Sequence, residues 1–309
     1  MSLKKASFNT RLPFRDFSQK LEKSLKGNNV VSLVLLNSKG EFMETVIDLW
    51  VLGAPDPEME AIEKLLLDCS QTVVYAAASG KRVFAGNAYK ADSTLPESGL
   101  DVERFSAWVE CGFHGKKPEY IVDHHNPGDP GYGKGPSEFW QASSIGQVYQ
   151  LLWNVAWENR LILKPTRDHI FTAAADHCLA HAYAGKCSTV DPEELLLWRI
   201  KSRAKFQGKS EELISAHVER ARKAVRERAV ETPFGLLADF GEETMPELLE
   251  ASAREGIAFL GVGLPQRDGR RKKVLMGGSP EMISQWMATC GLKDVYGDPA
   301  RGFAGGYLP

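Results

Sequence analysis

A two-domain α/β architecture is what this sequence predicts, on three observations. Apolar, β-branched segments alternate with amphipathic helical patterns as far as about residue 190, the order that builds a parallel sheet with right-handed crossovers. Gly208 then breaks the pattern, and a long charged stretch, Ser210–Ala229, follows it. Beyond Pro233 the strand and helix patterns restart on a smaller scale. With 309 residues there is chain enough for two cores. The expected limits are residues 1–205 for an N-terminal parallel-sheet domain, 206–232 for a connecting helix and 233–309 for a smaller C-terminal α/β domain.

Residues 4–28 are basic and mixed, and read as an irregular arm or short helix. Val30–Leu36 is an apolar strand closed by the turn residues Asn37–Gly40, and a second strand is expected through Thr45–Leu52. Pro57 stands where a helix starts, followed by Met59, Ile62, Leu65 and Leu66 on one face. Thr72–Ala78 is a strand and Lys81–Ala85 a short extended piece. The spacing of Phe105, Trp108 and Val109 predicts a helix over Val102–Cys111. Tyr120-Ile121-Val122 is a short buried strand. Ser144 with Gln147 three residues on has the form of a capping box at the head of a helix. Further helices are expected over Arg167–Ala184, Pro192–Lys205 and Ser210–Ala229. In the C-terminal part, strands are expected over Phe234–Phe240, Ile257–Val262 and Lys273–Met276, with helices over Pro246–Arg254 and Pro280–Cys290. A glycine-rich loop, Gly297–Gly306, ends the pattern.

Charge and composition exclude little but steer the reading. A net charge of −2 offers no global attraction to nucleic acid or anionic lipid, so such binding has to be local. Five cysteines without CxxC spacing, in a chain this long, suit a reduced, cytoplasmic setting. The N-terminus has no apolar core of a signal peptide, and no run of about eighteen apolar residues occurs, so neither a leader nor a membrane helix is expected.

Chemistry concentrates where the Tyr120–Val122 strand ends in Asp123-His124-His125, ahead of the Pro/Gly-rich run Asn126–Pro136. Ligands in open α/β sheets bind at the carboxyl ends of strands, and Asp and His are residue types for metal ligation or proton transfer. Read alone, the triplet is either such a site or a polar cluster tying down a loop. His177 and His181, one helical turn apart, have zinc-ligand spacing, although a third ligand is not evident and helix packing is the commoner meaning. Tyr132-Gly133-Lys134-Gly135 is either a backbone cradle for phosphate or a plain loop.

The order apolar strand, Asp-His-His, glycine loop, Gln141-Ala142-Ser143-Ser144 and helix resembles the third motif of the DHH phosphoesterase superfamily, which includes RecJ-like nucleases and oligoribonucleases. Thr172-Ala173-Ala174-Ala175-Asp176 resembles the small-residue run and aspartate that follow it. The C-terminal part resembles the DHH-associated domain, so the resemblance runs over roughly residues 45–309. It implies that Asp123 orients its neighbouring imidazole, that His124 and Asp176 bind metal, and that His125 contacts phosphate and protonates the leaving oxygen. Manganese or magnesium would be the cofactor, two such ions a few ångströms apart generating hydroxide and stabilising an in-line displacement.

Departures accompany the resemblance. No Asp-x-Asp series follows the first strand; Asp56 and Glu58 are the nearest carboxylates there. The second motif's aspartate is replaced by Asn87, with Asp92 further on. The terminal loop lacks its histidine, which leaves Arg301 for a bidentate contact with phosphate, among Gly297, Gly302, Gly305 and Gly306. The function implied is metal-dependent hydrolysis of a phosphodiester or phosphoanhydride in a nucleotide or short oligonucleotide. The alternative is a catalytically impaired relative that binds a phosphorylated ligand without turnover. Expected partners are a phosphorylated small molecule, a nucleotide or a short nucleic acid, with no membrane; a homodimer is left open.

Overall fold

The computed structural model describes residues 47–158, 163–265 and 269–309. The arm at 4–28 and the strand expected over Val30–Leu36 lie outside the described residues. The chain is a mixed α/β protein with two six-stranded sheets, one mainly parallel, flanked by helices.

The first sheet comprises β1 (Leu49–Leu52), β2 (Val73–Ala78), β3 (Lys81–Arg82), β4 (Ser93–Leu95), β5 (Ser106–Val109) and β6 (Tyr120–Val122). Its order is β3-β2-β1-β5-β6, with β4 also beside β2. β1 runs parallel to β2 and β5, and β5 parallel to β6, while β3 and β4 are antiparallel to β2. All four residues of β1 are buried, as in a strand covered on both faces. α1 (Pro57–Asp68) packs one face through Met59, Ile62, Leu65 and Leu66, capped by Asp56 with Pro57 in its first turn.

The helix expected over Val102–Cys111 is not formed; Ser106–Val109 is strand β5. A four-residue strand buried on both faces carries no alternation, so Phe105, Trp108 and Val109 mimic a helical stripe. The capping box at Ser144 is also corrected. α2 (Phe139–Ala142) and α3 (Ser144–Glu158) meet at Ser143, whose Oγ accepts from Gly146 N at 3.2 Å. Gln147 is thereby free to accept from Asp123 N at 3.1 Å and to donate to the Asp123 carbonyl at 2.9 Å.

α4 (Arg167–Tyr183) is interrupted at Cys178, whose φ −151° and ψ 46° are not helical. The Cys178 and Cys187 sulfurs are buried 2.9 Å apart as free thiols. α5 (Pro192–Gln207) is capped by Asp191 and stopped by Gly208 in the left-handed region at φ +62°. α6 (Glu211–Arg228) buries Ile214, Val218, Ala221 and Val225, one narrow stripe on an otherwise charged helix. The first two pack beside Ala204 of α5, the last two against Ala238 and Phe259 of the second sheet.

That sheet holds β7 (Ala229–Thr232), β8 (Gly235–Asp239), β9 (Ala258–Val262), β10 (Lys272–Met276), β11 (Lys293–Asp298) and β12 (Phe303–Tyr307), ordered β11-β12-β10-β9-β8-β7. α7 (Leu248–Glu255) and α8 (Pro280–Thr289) complete this part. The expected terminal glycine loop is instead the β11–β12 hairpin, with a short turn at Pro299–Gly302. Gly297 and Gly305 serve close packing: a Cβ would stand 2.6 Å from the Phe303 carbonyl oxygen and 2.5 Å from the Tyr296 hydroxyl respectively. Among the described residues no helix is long and apolar enough to cross a membrane.

Candidate metal centre

The chain leaves β1 toward β2 on one side and later builds β5 and β6 on the other. β1 and β5 therefore flank the point where the connections diverge, the usual place of a ligand crevice in an open sheet. Gly53 lets the two strand ends meet: a Cβ there would lie 2.3 Å from the Glu110 carbonyl oxygen. Asp56 and Glu58 follow β1, Glu110 follows β5, and Asp123-His124-His125 follow β6. α4 contributes Asp176 and His177.

Two of these carboxylates are held by the head of α3. Glu58, 2% exposed, accepts from Ile145 N at 2.9 Å. Glu110, also buried, accepts from the Ser144 hydroxyl at 2.6 Å. A helix N-terminus offers unpaired N–H groups and the positive end of its dipole, which favours anions. Asp123 is a hub of another kind. Its Oδ1 accepts from His124 N at 2.7 Å, His125 N at 3.0 Å and His125 Nδ1 at 2.9 Å, and its Oδ2 from the Tyr89 hydroxyl at 2.8 Å. Burial lowers the His125 pKa, but Glu110 and Asp123 outweigh it and push the imidazole up to about 9, so it carries a proton at neutral pH.

The His124 tautomer follows from the hydrogen-bond network. His177 Nε2 lies 2.9 Å from the Lys134 carbonyl, which only accepts, so Nε2 carries a hydrogen. Burial, then the Arg301 charge, pull the His177 pKa down to about 3 and that of His124 to about 4; both rings are neutral. The His177 Nδ1 is then a bare acceptor, and the His124 Nδ1 at 3.0 Å must be its donor. His124 Nε2 consequently turns a lone pair toward Asp176 Oδ2 at 2.9 Å and Glu110 Oε1 at 3.5 Å.

A lone pair facing two carboxylates is repulsive unless a cation stands among them. His124 Nε2, Asp176 Oδ2 and Glu58 Oε2 are all buried and without a hydrogen-bond partner. Ligand atoms of Glu58, Glu110, His124 and Asp176 lie within 4.8 Å of one another, a spread that one ion can bridge. One imidazole nitrogen and several carboxylate oxygens fit a hard divalent ion such as Mn²⁺ or Mg²⁺.

The carboxylates register the missing charge. Burial first, then Asp176, raises Asp56 to about 6; burial, Asp176 and Glu110 raise Glu58 well above the usual range. Glu110 reaches about 8 through burial, which Asp176 and Asp56 reinforce and His125 opposes. Since these folded-state values lie above the unfolded ones, the stability these three carboxylates contribute to the metal-free protein is lost as pH rises through them, while the lowered His124 and His177 act in the opposite direction below about pH 6.5. A cation must displace the retained protons, so Mn²⁺ affinity should climb through pH 6–8 and level off above, with proton release detected by calorimetry in buffers of different ionisation enthalpy. A flat affinity over that range would contradict this arrangement.

A second expectation concerns the relay. His177→Phe removes the acceptor that holds the His124 hydrogen on Nδ1, and Mn²⁺ affinity should fall about 10–100-fold with the ligands intact. Titration calorimetry reads the change; unchanged affinity would mean that His124 keeps its tautomer without the relay.

The residues singled out in the sequence separate into two sets. Asp123, His124, His125 and Asp176 come together, with Asp56 and Gly302 on the adjoining cavity wall. Asn87 is elsewhere, its Oδ1 accepting from Phe84 N at 2.8 Å to close a turn. Asp92 is exposed on Ser79 N and Ser93 Oγ, outside the gathered carboxylates. Gly297, Gly305 and Gly306 are strand residues. Arg301 is not splayed toward an open phosphate site: its Nε, Nη1 and Nη2 donate to the carbonyls of His177, His124 and Asp176, each at 3.0 Å. Both ring nitrogens of His177 are engaged, so it does not pair with His181 on zinc. Gly133 N, in the supposed phosphate cradle, already donates to Asp298 at 2.9 Å. Glu110 is not among the residues the sequence singles out, and His177 enters there only for its spacing to His181. The signal for Glu110 was a carboxylate directly after an apolar run, hidden by the helical reading of that run.

No family model matches the chain, and neither does any curated protein sequence. Among solved structures, a pGpG-specific phosphodiesterase, PggH from Vibrio cholerae, aligns over 85% of this chain and 93% of its own at 10% identity, with a TM-score of 0.32.

Proposed function

We propose that the chain is a metal-dependent phosphoesterase of DHH type, hydrolysing a phosphodiester or phosphoanhydride of a nucleotide or short oligonucleotide. The observation that carries the reading is the buried lone pair of His124 Nε2, fixed by the Lys134–His177 relay and converging with Asp176, Glu110 and Glu58. Glu58, Glu110, His124 and Asp176 would hold Mn²⁺ or Mg²⁺, which when bound supplies Lewis-acid polarisation of a phosphoryl oxygen and activation of water. Asp123 holds His125 at Nδ1, leaving the Nε2–H of a protonated imidazole to give its proton to the departing oxygen. Arg301 keeps Asp176 and His124 in register through their carbonyls. Glu58 and Glu110 favour hydrolysis over binding without turnover, because they restore carboxylates that the sequence motifs lack.

The test is manganese content by elemental analysis together with hydrolysis of bis(4-nitrophenyl) phosphate and of linear and cyclic dinucleotides. The expected result is Mn²⁺-dependent turnover that disappears in His124→Ala. Protein that binds no Mn²⁺ and cleaves none of these substrates would refute the proposal.

A further inference from the structure

Two residues past Asp176, Cys178 breaks α4, and its sulfur meets that of Cys187 at 2.9 Å. The two residues are 3% and 2% exposed, and at that separation nothing stands between the thiols. The phosphoesterase reading gives the pair no task. Other cysteines spend their hydrogens on the backbone: Cys111 Sγ donates to the Val51 carbonyl at 3.5 Å, and Cys290 Sγ to that of Met287 at 3.9 Å.

Two chemistries use a thiol pair in contact. A metal ion needs further ligands, and among the described residues no His, Asp or Glu donor joins these two sulfurs in a metal-sized group. A disulfide needs only that the sulfurs close to about 2.05 Å. What remains is access, since burial makes both thiols poor nucleophiles. Cys187 lies in a surface turn, where Ala184, Gly185, Lys186 and Ser188 are all exposed. Lys186 N donates to the His181 carbonyl at 2.9 Å, and Arg167 Nη1 to that of Thr189 at 2.5 Å, to hold the turn shut. Local opening of such an exposed segment bares Cys187 to a small oxidant without unfolding the core.

We infer that Cys178 and Cys187 form a modification site, at which hydrogen peroxide converts the thiol pair into a disulfide. The Cys187 sulfur attacks one peroxide oxygen, the O–O bond breaks, and a sulfenic acid and water form. The Cys178 sulfur then attacks the sulfenic sulfur, the S–O bond breaks, and hydroxide leaves as water with the Cys178 proton. In sum, two thiols give two electrons and two protons to one peroxide, yielding one disulfide and two waters. The new bond closes the loop from 178 to 187. It ties the break in α4 to the surface turn and so fixes the segment that carries Asp176 and His177. The inference stands independently of the phosphoesterase reading.

The experiment treats the full chain with hydrogen peroxide, blocks remaining thiols with iodoacetamide under denaturing conditions, and maps the peptides by mass spectrometry. The main product should be the peptide pair joined through Cys178 and Cys187, and dithiothreitol should undo it. Calorimetric melting should place the oxidised protein about 4 °C above the reduced one, the effect of cross-linking a short loop in a chain of this size. Cys187→Ser, treated in the same way, should show neither bridge nor shift; because the main comparison is between two states of the parent, a folding defect in the variant does not decide it. Recovery of both thiols as alkylated cysteine, a Cys187 sulfinic acid without the bridge, or either cysteine joined elsewhere overturns the inference. So does a bridge that leaves the melting temperature unmoved or lowers it, since it then fixes nothing in the fold.

Discussion

Glu110→Gln is expected to abolish tight Mn²⁺ binding while leaving the metal-free protein at least as stable as the parent at pH 8. Glu110 is buried among Glu58, Asp176 and His124 Nε2, and its raised pKa reflects the cost of ionising it there. Glutamine keeps the shape and an oxygen that accepts from the Ser144 hydroxyl, yet contributes no charge. In the parent, Mn²⁺ at about 100 times its Kd should add about 2.7 kcal/mol of stability, and at the same concentration the variant should gain almost none. Asp176→Asn should behave in the same way toward the ion, with affinity down by more than about 100-fold, beyond what loss of an orienting partner costs. Calorimetric melting with and without Mn²⁺ checks both. An equal upward shift in the parent and both variants would place the ion elsewhere.

Arg301→Ala should cost at least about 3 kcal/mol of stability, together with Mn²⁺ affinity. The Arg301 side chain is 6% exposed and its guanidinium donates to the carbonyls of His124, Asp176 and His177, the last two just ahead of the break in α4 at Cys178. Removing it strands those acceptors beside a set of carboxylates and frees the segment that positions two of the site residues. Lysine, with one nitrogen in place of a planar fork, should recover only part of the loss. Urea unfolding and Mn²⁺ titration on the same variants separate two roles. If Arg301→Ala stays within about 1 kcal/mol of the parent and loses only phosphate binding, Arg301 is a ligand residue, as its place in a glycine-rich segment first suggests.

Some of this architecture is visible in the residue pattern. The helix starting at Pro57 and the stops at Gly208 and Gly256 follow from local rules of capping and backbone freedom, which act within a few residues. The Val102–Cys111 segment was misread because burial on both faces erases periodicity. Gly297, Gly305 and Gly306 lie in strands where a loop is expected, because close packing and ligand loops call for the same residue. Position in the sequence could not tell one from the other.

The strand ending in Asp123-His124-His125 and the aspartate on a later helix are legible in the chain alone. Hydrogen-bonding inventories and strand-end geometry are properties of short segments, so they survive without coordinates. Tertiary structure alone decided which carboxylates join them. Glu58 and Glu110 lie 52 positions apart in the chain, yet both are pinned by the first turn of α3, through Ile145 N and the Ser144 hydroxyl. Tertiary structure likewise set the His124 tautomer, through a relay from Lys134 by way of His177, and placed the Arg301 guanidinium on the carbonyls of His124, Asp176 and His177. Each of these depends on long-range approach of groups whose charges and lone pairs matter only at contact distance.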